Sequence, residues 1–367
     1  MKELVEKVVN SGKLKASLDF GECNDADLIT VSVQTPMRGD EPNYSFLKNA
    51  LESVGKNIKK GCVVSVESTI APGTMENIVK NILENESGFE AGKDFYLVNC
   101  PERVRPGHLL EQLTGLDRVI GAVNKESGEK AKSFYKQIVK GDLDITDMTG
   151  AELVKTFENT YRDVQIAFAN EMSMVCEKLG ANVYEVRKLV NKCPWRDMHM
   201  PGAGVGGHCI PKDSRLLAHG VKGLYEPKMV LLSRQINDSM PKHLAEIVEE
   251  SSEKGKVSIL GLGFVKDTDD TRNSPAFVVI EELKRKGFDV CEHDPYVEST
   301  DLEDCLRESS CLILVTDHTK FRELATRKCL ENIKKLMKNP VIVDGRNLFD
   351  KELCEEMGFV YRGIGKG

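Results

Sequence analysis

The segment 202–214, GAGVGGHCIPKDS, combines residue types that could carry out covalent chemistry. Four glycines precede Cys209, and glycine permits backbone conformations in which a ligand approaches the main chain closely. A cysteine thiolate is a strong nucleophile near neutral pH, and Lys212 and Asp213 follow it closely. The segment therefore predicts a nucleophile on a glycine-rich loop with acid–base groups beside it. A tight glycine turn with a buried, inert cysteine is the alternative.

A polar face on the predicted helix 150–179 is a second candidate for a site. Its apolar residues recur at three- and four-residue steps and form one stripe: Leu153, Phe157, Tyr161, Val164, Phe168, Met172 and Val175. Lys155 and Asn159 are four residues apart on a different face, and Asn170 returns near that face about three turns later. These polar residues could line a site, and a solvated helix face is the alternative.

Composition excludes several classes of protein. The chain has 367 residues, enough for two or three domains, with 40% apolar and 30% charged residues, as in soluble globular proteins. Its net charge of −7 provides no general attraction to nucleic acid. The 11 cysteines are scattered without a C-x-x-C pair, which predicts no disulfide framework or metal site and favours a reducing cytoplasm. We find no signal peptide and no apolar run that could span a membrane.

Strands that alternate with helices predict an α/β fold with two Rossmann-like parallel sheets joined by a long helical region. The first sheet is expected to be incomplete. Its predicted strands are residues 28–33, 62–66, 95–104 and 118–123, with helices at 44–59 and 75–84. The second has strands at 256–264, 288–295, 311–318 and 339–349, with a helix at 275–287. The connecting helix is expected to be interrupted at Pro241. The predicted domains are residues 1–148, 149–245 and 246–367.

Ligands of such sheets bind beyond the carboxyl ends of the strands. In the first sheet these ends carry Thr35, Ser68, Thr69, Glu102 and Arg103, followed by a loop through Pro106 and Gly107. We expect these loops to be binding loops, and ordinary turn chemistry is the alternative.

The dinucleotide fingerprint G-x-G-x-x-G is incomplete or missing. Gly261 and Gly263 follow a predicted strand, but Lys266 takes the place of the third glycine, so usual dinucleotide binding is not expected there. The first sheet has no such pattern, and only 27 residues precede its first strand. A β-α-β unit needs roughly 30 or more. The expectation is a truncated chain, or one that binds no dinucleotide in the usual manner.

Seven motifs resemble, in order along the chain, those of the nucleotide-sugar dehydrogenases, which oxidise a UDP- or GDP-sugar alcohol to its uronate. They are VQTP, ESTIAPGT, NCPERVRPG, AELVKTFENTYRDVQIAFANE, GAGVGGHCIPKD, GLGFVKDTDDTRNSPA and DGRN. The resemblance covers almost the whole chain. It implies NAD as cofactor, a dimer formed through the long central helix, and a role in polysaccharide biosynthesis. Family members also carry an amino-terminal segment with the glycine fingerprint, which this sequence lacks.

His208, the residue before the cysteine, resembles family members that act on 2-acetamido sugars, whereas UDP-glucose enzymes more often carry serine there. The resemblance therefore implies UDP-N-acetyl-D-mannosamine as the substrate, oxidised twice at C6. Oxidation of UDP-N-acetylglucosamine or UDP-glucose, a UDP-sugar-binding protein without redox activity, and a thiol enzyme such as an acyltransferase are the alternatives.

The resemblance also assigns roles to individual residues. Cys209 would add to the aldehyde intermediate and form a thioester. Its implied helpers are Lys155 for an alkoxide or oxyanion, Asn159 for water or the oxyanion, Asp213 for positioning water or accepting a proton, and Glu102 for thioester hydrolysis. The implied substrate contacts are Arg103, Lys155, Asn159, Gly202, Gly206, Lys266, Arg346 and, from a neighbouring subunit, Arg196. The implied cofactor contacts are Thr35, Thr69 and Arg272.

Overall fold

Short runs rich in valine, isoleucine and leucine form the strands of two separate five-stranded sheets. The computed structural model describes residues 2–104 and 109–367. It divides into two units, Met1–Glu158 with His219–Tyr225, and Asn159–Ala218 with Glu226–Gly367. The division into three domains stays a prediction.

The first unit contains a sheet with helices packed on it. Its strands are Leu28–Val31 (β1), Met37–Arg38 (β2), Glu41–Pro42 (β3), Val63–Val66 (β4), Tyr96–Asn99 (β5), Arg118–Ala122 (β6) and Leu143–Asp147 (β7). Its helices are Lys2–Asn10 (α1), Ser45–Gly55 (α2), Lys80–Ser87 (α3), Leu109–Gly115 (α4) and Lys125–Tyr135 (α5), with a π-helical turn at Met75–Val79. The sheet order is β1-β4-β5-β6-β7, and β2 pairs with β3 separately.

One strand pair differs from the predicted parallel sheet. β5 and β6 are antiparallel, with Val98 opposite Ala122, while β1-β4, β4-β5 and β6-β7 are parallel. An apolar run has the same composition in either direction, so the sequence pattern does not reveal strand direction. As a result, β6 and β7 end at the opposite edge of the sheet from β1, β4 and β5. Within this sheet, β1, β4 and β5 bring their carboxyl ends to the edge that carries the predicted binding loops.

The second unit is built on a fully parallel sheet. Its strands are Lys256–Leu260 (β8), Asp289–His293 (β9), Cys311–Leu314 (β10), Val341–Asp344 (β11) and Val360–Gly363 (β12), in the order β12-β11-β10-β8-β9. The remaining helices of the chain are Met148–Leu179 (α6), Val183–Val190 (α7), Cys209–Gly220 (α8), Lys228–Ser251 (α9), Pro275–Arg285 (α10), Leu302–Leu306 (α11), Arg327–Leu336 (α12) and Lys351–Glu356 (α13). The strand β12 was not predicted from the sequence.

The order of strands reverses between β8 and β10, because β9 lies on the far side of β8. A reversal of this kind opens a crevice outside the carboxyl ends of the two strands, which is where ligands bind in open α/β sheets. The first sheet has no reversal among its described strands, because their order follows the chain.

Helix α9 continues through Pro241, contrary to the predicted interruption. Pro241 is buried beside Met240 and Leu244, and these two residues belong to the core beneath β8, β10 and β11. Proline removes one backbone hydrogen bond and strains the preceding turn. Burial of the surrounding apolar residues compensates for this cost, which local sequence preference cannot show.

Helix α6 exposes part of its apolar stripe and buries some of its polar side chains, which is the reverse of a usual amphipathic helix. Phe157, Tyr161 and Phe168 from the predicted apolar stripe are 54%, 66% and 53% exposed. Asp163 and Asn170 are fully buried, so the polar side of this helix is not a solvated face. Within the described ranges, no helix is long and apolar enough to cross a membrane.

Candidate active site

Cys209 is the first residue of α8 and follows the glycine-rich loop directly. All 11 cysteines lie within the described ranges, and Cys209 is the exposed one among them. The first turn of a helix presents backbone N–H groups without helical partners, which favours negative charge at that end. Cys209 is therefore not the buried cysteine of the alternative, and its chemical role stays a prediction.

A buried carboxylate lies one helical turn after the cysteine. Asp213 is four residues beyond Cys209 on α8, so both project on the same side of the helix. The amide Nδ2 of Asn159 donates a hydrogen bond of 2.5 Å to Asp213 Oδ2, and Lys212 Nζ lies 3.7 Å from Asp213 Oδ1. The structure therefore brings together three residues predicted for the site, Cys209, Asp213 and Asn159.

The glycines of the loop admit neighbouring side chains of the same chain. A Cβ atom at Gly207 would lie 2.5 Å from the Phe264 ring, and one at Gly206 would lie 2.6 Å from Phe264 Cβ. A Cβ atom at Gly202 would lie 2.7 Å from Nη1 of Arg346. Real Cβ atoms do not approach other atoms this closely, so packing already explains these glycines. The predicted substrate contacts of Gly202 and Gly206 stay predictions.

Residues 272 and 273, in the segment after β8, make hydrogen bonds to the middle of the glycine-rich loop. Gly207 N–H donates to Arg272 O at 2.9 Å, and Asn273 Nδ2 donates to Gly207 O at 3.1 Å. The exposed Arg272 side chain pairs with Asp270, which raises the pKa of Arg272, and the charge of Cys209 contributes further. Arg272, predicted as a cofactor contact, therefore lies within electrostatic range of the thiol.

His208 sits beside these cations. Burial lowers the pKa of His208 from its usual value, and the charges of Lys212 and Arg272 lower it further. The imidazole is therefore neutral at pH 7, with one ring nitrogen able to donate a hydrogen bond and the other able to accept one.

The crevice between β8 and β10 has a carboxylate built into its glycine turn. Asp294 Oδ2 accepts hydrogen bonds from Leu262 N–H at 2.6 Å, Gly263 N–H at 3.1 Å and His318 Nε2 at 3.0 Å. The backbone donors that hold a pyrophosphate in a usual dinucleotide turn are thus bound to Asp294. The expectation drawn from Lys266, that no dinucleotide binds there in the usual manner, stays a prediction.

Two cations predicted to contact substrate lie at the carboxyl edge of the second sheet. Lys266 is exposed on the loop after β8, and Arg346 is half-buried just after β11. Arg346 Nε donates to Asp317 Oδ1 at 3.1 Å, which orients the guanidinium beside the loop after β10. The predicted contacts of both residues with substrate stay predictions.

The loops after β1 and β4 in the first unit are tied to each other. Thr35 Oγ1 donates to Thr69 O at 2.7 Å, and Ser68 Oγ donates to Val33 O at 2.7 Å. Thr35 is buried and Thr69 is half-buried. The Thr35 hydroxyl therefore helps to hold the two loops together, and its predicted contact with a cofactor stays a prediction.

The loop after β5 places its two charged residues in hydrogen bonds. Glu102 accepts a hydrogen bond from Val104 N–H, two residues later. Arg103 makes a two-point ion pair with Glu158 and donates to Asp117 O at 3.0 Å. A phosphate that bound Arg103 would have to displace Glu158 from this ion pair. The ion pair was not predicted from the sequence.

Two further predicted site residues lie on α6 and in the segment after α7. Lys155 is half-buried on α6, one turn before Asn159. Arg196 is exposed and donates to Trp195 O, its neighbour in sequence. Pro106 and Gly107 lie outside the described residues.

Family models match three consecutive parts of the chain. They are the UDP-glucose/GDP-mannose dehydrogenase family NAD binding domain at residues 1–139, central domain at 149–239 and UDP binding domain at 258–351. UDP-N-acetyl-D-mannosamine dehydrogenase of Pyrococcus horikoshii is 38% identical over 372 residues, covering 99% of this chain and 87% of that protein. The chain belongs to the UDP-glucose/GDP-mannose dehydrogenase family.

Other members of the family support the same assignment. A UDP-N-acetyl-D-mannosamine dehydrogenase of Campylobacter jejuni is 34% identical, covering 89% of this chain and 85% of that protein. The solved structure of the Pyrococcus horikoshii UDP-D-ManNAc dehydrogenase superposes with a TM-score of 0.92 at 37% identity, covering 99% of this chain and 86% of that one. An NDP-N-acetyl-D-galactosaminuronic acid dehydrogenase from Methanosarcina mazei gives 0.91 at 37% identity, covering 99% and 82%. The predicted family, fold class and NAD cofactor are confirmed.

The first sheet has some of the features of an NAD-binding site. The family model for the NAD-binding domain matches it, and the loops after β1, β4 and β5 lie at one edge. Among its described strands there is no reversal of order, and residues 1–148 contain no glycine fingerprint. The loops after β1, β4 and β5 are therefore the candidates for cofactor contacts on this sheet, and none of them carries the usual glycine fingerprint for pyrophosphate.

Proposed function

We propose that this chain catalyses the twofold oxidation of UDP-N-acetyl-D-mannosamine at C6 to the uronate, with NAD as the hydride acceptor. The observation that carries the proposal is an exposed Cys209 at the start of α8, one turn from a buried Asp213 that Asn159 holds. Family membership supplies the reaction type, and the names of its relatives supply the sugar.

The thiol is required for the second oxidation. An aldehyde carbon has no hydride that can leave until a nucleophile adds to it. Addition of the Cys209 thiolate forms a C–S bond and converts the carbonyl oxygen into an alkoxide. Hydride would then leave that carbon for NAD, which supplies the acceptor when bound, and the carbonyl would be restored as a thioester. Water attacks the thioester and the C–S bond breaks, so that carboxylate and thiolate form while the two protons of the water pass to the nearby carboxylates and to solvent.

The polar neighbours suit the charge that develops on oxygen. Asn159 has an amide that already donates to a carboxylate, and Asp213 can hold a water or accept its proton in the hydrolysis step. We assign to Lys155, one turn earlier on α6, the stabilisation of the alkoxide or oxyanion. Glu102 is assigned to hydrolysis of the thioester.

The second sheet suits the nucleotide. A strand-order reversal provides the crevice, and the family model for this region is a UDP-binding domain. Lys266 and Arg346 supply positive charge at its edge, and arginine binds phosphate through two parallel hydrogen bonds. Asp294 already accepts from the backbone of the glycine turn, so Lys266 and Arg346 are the groups we assign to the diphosphate.

The neutral imidazole of His208 supports a 2-acetamido sugar. It lies next to Cys209 and can exchange a hydrogen bond with the substrate's acetamido group. The names of the relatives from Pyrococcus horikoshii and Campylobacter jejuni specify the manno epimer.

The exposed aromatic face of α6 supports a homodimer. Phe157, Tyr161 and Phe168 are each more than half exposed, and neighbouring large apolar residues such as Val175 and Leu179 extend the face. Contiguous apolar surface of this kind marks an interaction site on a soluble protein. A second copy would bury it and would bring Arg196 to a neighbouring subunit's substrate. Light scattering after size-exclusion chromatography tests the dimer, and a monomer at micromolar concentration would contradict it.

Calorimetry and NADH formation test the reaction. The protein is titrated with UDP-N-acetyl-D-mannosamine and with NAD, and NADH and uronate are measured with both present. We expect NADH and uronate in a ratio of two to one. Binding of the UDP-sugar without NADH formation would overturn the proposed redox activity.

Cys209→Ser tests the nucleophile, with Cys193→Ser as the matched control. Cys193 is a half-buried cysteine of the same unit that the mechanism does not use. We expect Cys209→Ser to lower uronate formation on the order of 1000-fold and the control to change it less than about twofold. An unchanged yield of uronate in Cys209→Ser would refute the role of the thiol.

A further inference from the structure

Both ends of the segment that carries Cys209 are hydrogen-bonded to buried side chains of one helix. At the start, Gly202 N–H donates to Asn170 Oδ1 at 2.9 Å. At the end, Ser214 Oγ donates to Asp163 Oδ2 at 2.9 Å. Asn170 and Asp163 are both fully buried on α6, seven residues or two turns apart. The two ends of the segment are therefore attached to the same rigid element.

The two attachments are also joined to each other. Asn170 Nδ2 donates to Asn237 Oδ1 at 2.8 Å, and Asn237 Nδ2 donates to Asp163 Oδ1 at 2.7 Å and to Asp163 O at 3.0 Å. Asn237 lies on α9 and is 1% exposed. A continuous chain of hydrogen bonds thus runs from Gly202 through Asn170, Asn237 and Asp163 to Ser214.

The charge in this network is compensated. Arg234 Nη1 donates to Asp163 Oδ1 at 2.5 Å, and both side chains are almost completely buried. Burial raises the pKa of Asp163 from its usual value, while Arg234, Ser214 and Asn237 act in the opposite direction. A buried carboxylate that is neutralised and hydrogen-bonded in this way has one defined geometry, because any movement leaves a polar group without its partner.

We propose that Asp163 is a positioning residue that fixes both ends of the Cys209 segment, through Ser214 at one end and through Asn237 and Asn170 at the other. The inference rests on the proposed role of Cys209 as the nucleophile. Asp163 acts through other residues, since Ser214 directly follows Asp213 on α8 and Asn159 precedes Asp163 by one turn on α6. The same carboxylate therefore sets the position of the thiol relative to the Asn159–Asp213 pair.

Two single variants each remove one attachment. Ser214→Ala removes the hydroxyl that reaches Asp163, and Asn170→Ala removes the oxygen that accepts from Gly202 N–H. Ser173→Ala is the matched control, because Ser173 is also a fully buried serine but its hydroxyl donates within α6, to Asn170 O at 2.6 Å. The control reports the loss of a buried hydroxyl that does not contact the segment.

The measurement is protection of Cys209 from iodoacetamide by UDP-N-acetyl-D-mannosamine, followed by peptide mass spectrometry. Cys329, a half-buried thiol on α12, serves as the internal reference. The affinity for UDP is measured by calorimetry on the same samples. A positioned thiol is covered by the sugar, so we expect at least fivefold protection in the unaltered protein and in Ser173→Ala.

In Ser214→Ala and Asn170→Ala we expect protection below twofold, with UDP affinity within about threefold of the unaltered protein. Uronate formation should fall at least tenfold in each. The double variant should be little worse than either single one, because residues in one network are not additive.

Protection that stays above fivefold in both variants would overturn the positioning role, as would an equal loss in Ser173→Ala. No protection in the unaltered protein would instead contradict the proposed function. If Ser214→Ala does not fold, as judged by its thermal unfolding, Ser214→Thr keeps the hydroxyl that reaches Asp163, and Asn170→Ala tests the other attachment alone. Ser214→Thr must then keep at least fivefold protection and Asn170→Ala must lose it, and any other result would refute the inference.

Discussion

Replacement of Asp294 by asparagine tests whether one carboxylate holds the glycine turn after β8. Oδ2 of Asp294 accepts three hydrogen bonds, from Leu262, Gly263 and His318, and Oδ1 accepts one from Tyr296 N–H at 2.8 Å. An asparagine has a single acceptor oxygen. In either orientation its NH₂ group therefore faces at least one N–H donor.

The size of the effect follows from the ionisation of this group. Burial opposes the charged form of Asp294, but donation from His318 and from the backbone of Tyr296, Leu262 and Gly263 outweighs it and lowers the pKa to about 2. Compared with 3.8 for the unperturbed group, this corresponds to about 2 kcal/mol of stability. A buried donor without a partner costs about 1–3 kcal/mol. We therefore expect Asp294→Asn to lower the free energy of unfolding by about 2–4 kcal/mol at neutral pH.

The pH dependence gives a second test of the same argument. Because the folded pKa of Asp294 lies below its unfolded value, the stabilisation is present above pH 3.8 and is lost as the pH falls toward 2. The difference in stability between the unaltered protein and Asp294→Asn should therefore shrink as the pH is lowered through this range.

Urea unfolding provides the assay, and Asp289→Asn provides the control. Asp289 is an exposed aspartate at the start of β9, the strand that Asp294 follows directly. Its replacement should change the stability by less than about 0.5 kcal/mol. An unfolding midpoint in Asp294→Asn that matches the midpoint of Asp289→Asn would refute the reasoning.

Two further predictions concern a glycine and a buried acid. Gly207→Ala should lower stability by at least about 2 kcal/mol, because it adds a clash with Phe264 to the strain of a φ of 84°. Gly223→Ala, at a φ of 80° with open space around it, carries the strain alone and should cost about 1 kcal/mol by thermal unfolding, so equal losses would exclude the clash. Burial raises the pKa of Glu152 from 4.5 to about 7 despite backbone donors, so stability should fall as the pH rises between these values. Glu152→Gln should flatten that dependence in urea unfolding, and a rise in stability with pH in the unaltered protein would show that the donors dominate.

Much of the local structure could be predicted from the sequence. The periodic pattern predicted α6 at residues 150–179, and the helix observed is Met148–Leu179. Asn182 caps α7 by accepting from Tyr184 N–H, and its Nδ2 lies 3.4 Å from Glu185 Oε1. These features depend on neighbouring residues, so their patterns are readable in the chain.

The site was predicted only in part. Cys209, Asp213 and Asn159 were identified and lie together or on one helix face, whereas Asp163, Asn237 and Asp294 were missed. One signal could have indicated Asp294, since it directly follows a strand in the sequence EHDP at the edge where ligands bind. Asp163 and Asn237 carry no such signal, because each is one of several polar residues in a long helical pattern.

The amino-acid sequence by itself determined the family, the alternation of strands and helices, and the presence of a cysteine on a glycine-rich loop. Each of these is recorded in short stretches of residues or in the order of motifs. The tertiary structure decided that β6 runs antiparallel to β5, that α9 continues through Pro241, and that the polar face of α6 is buried. It also decided which partners hold the cysteine loop, since Asp163 and Ser214 are 51 residues apart in the chain. Contacts between residues so distant exist only after folding, when burial of apolar surface brings the helices together and excludes water from the polar groups between them.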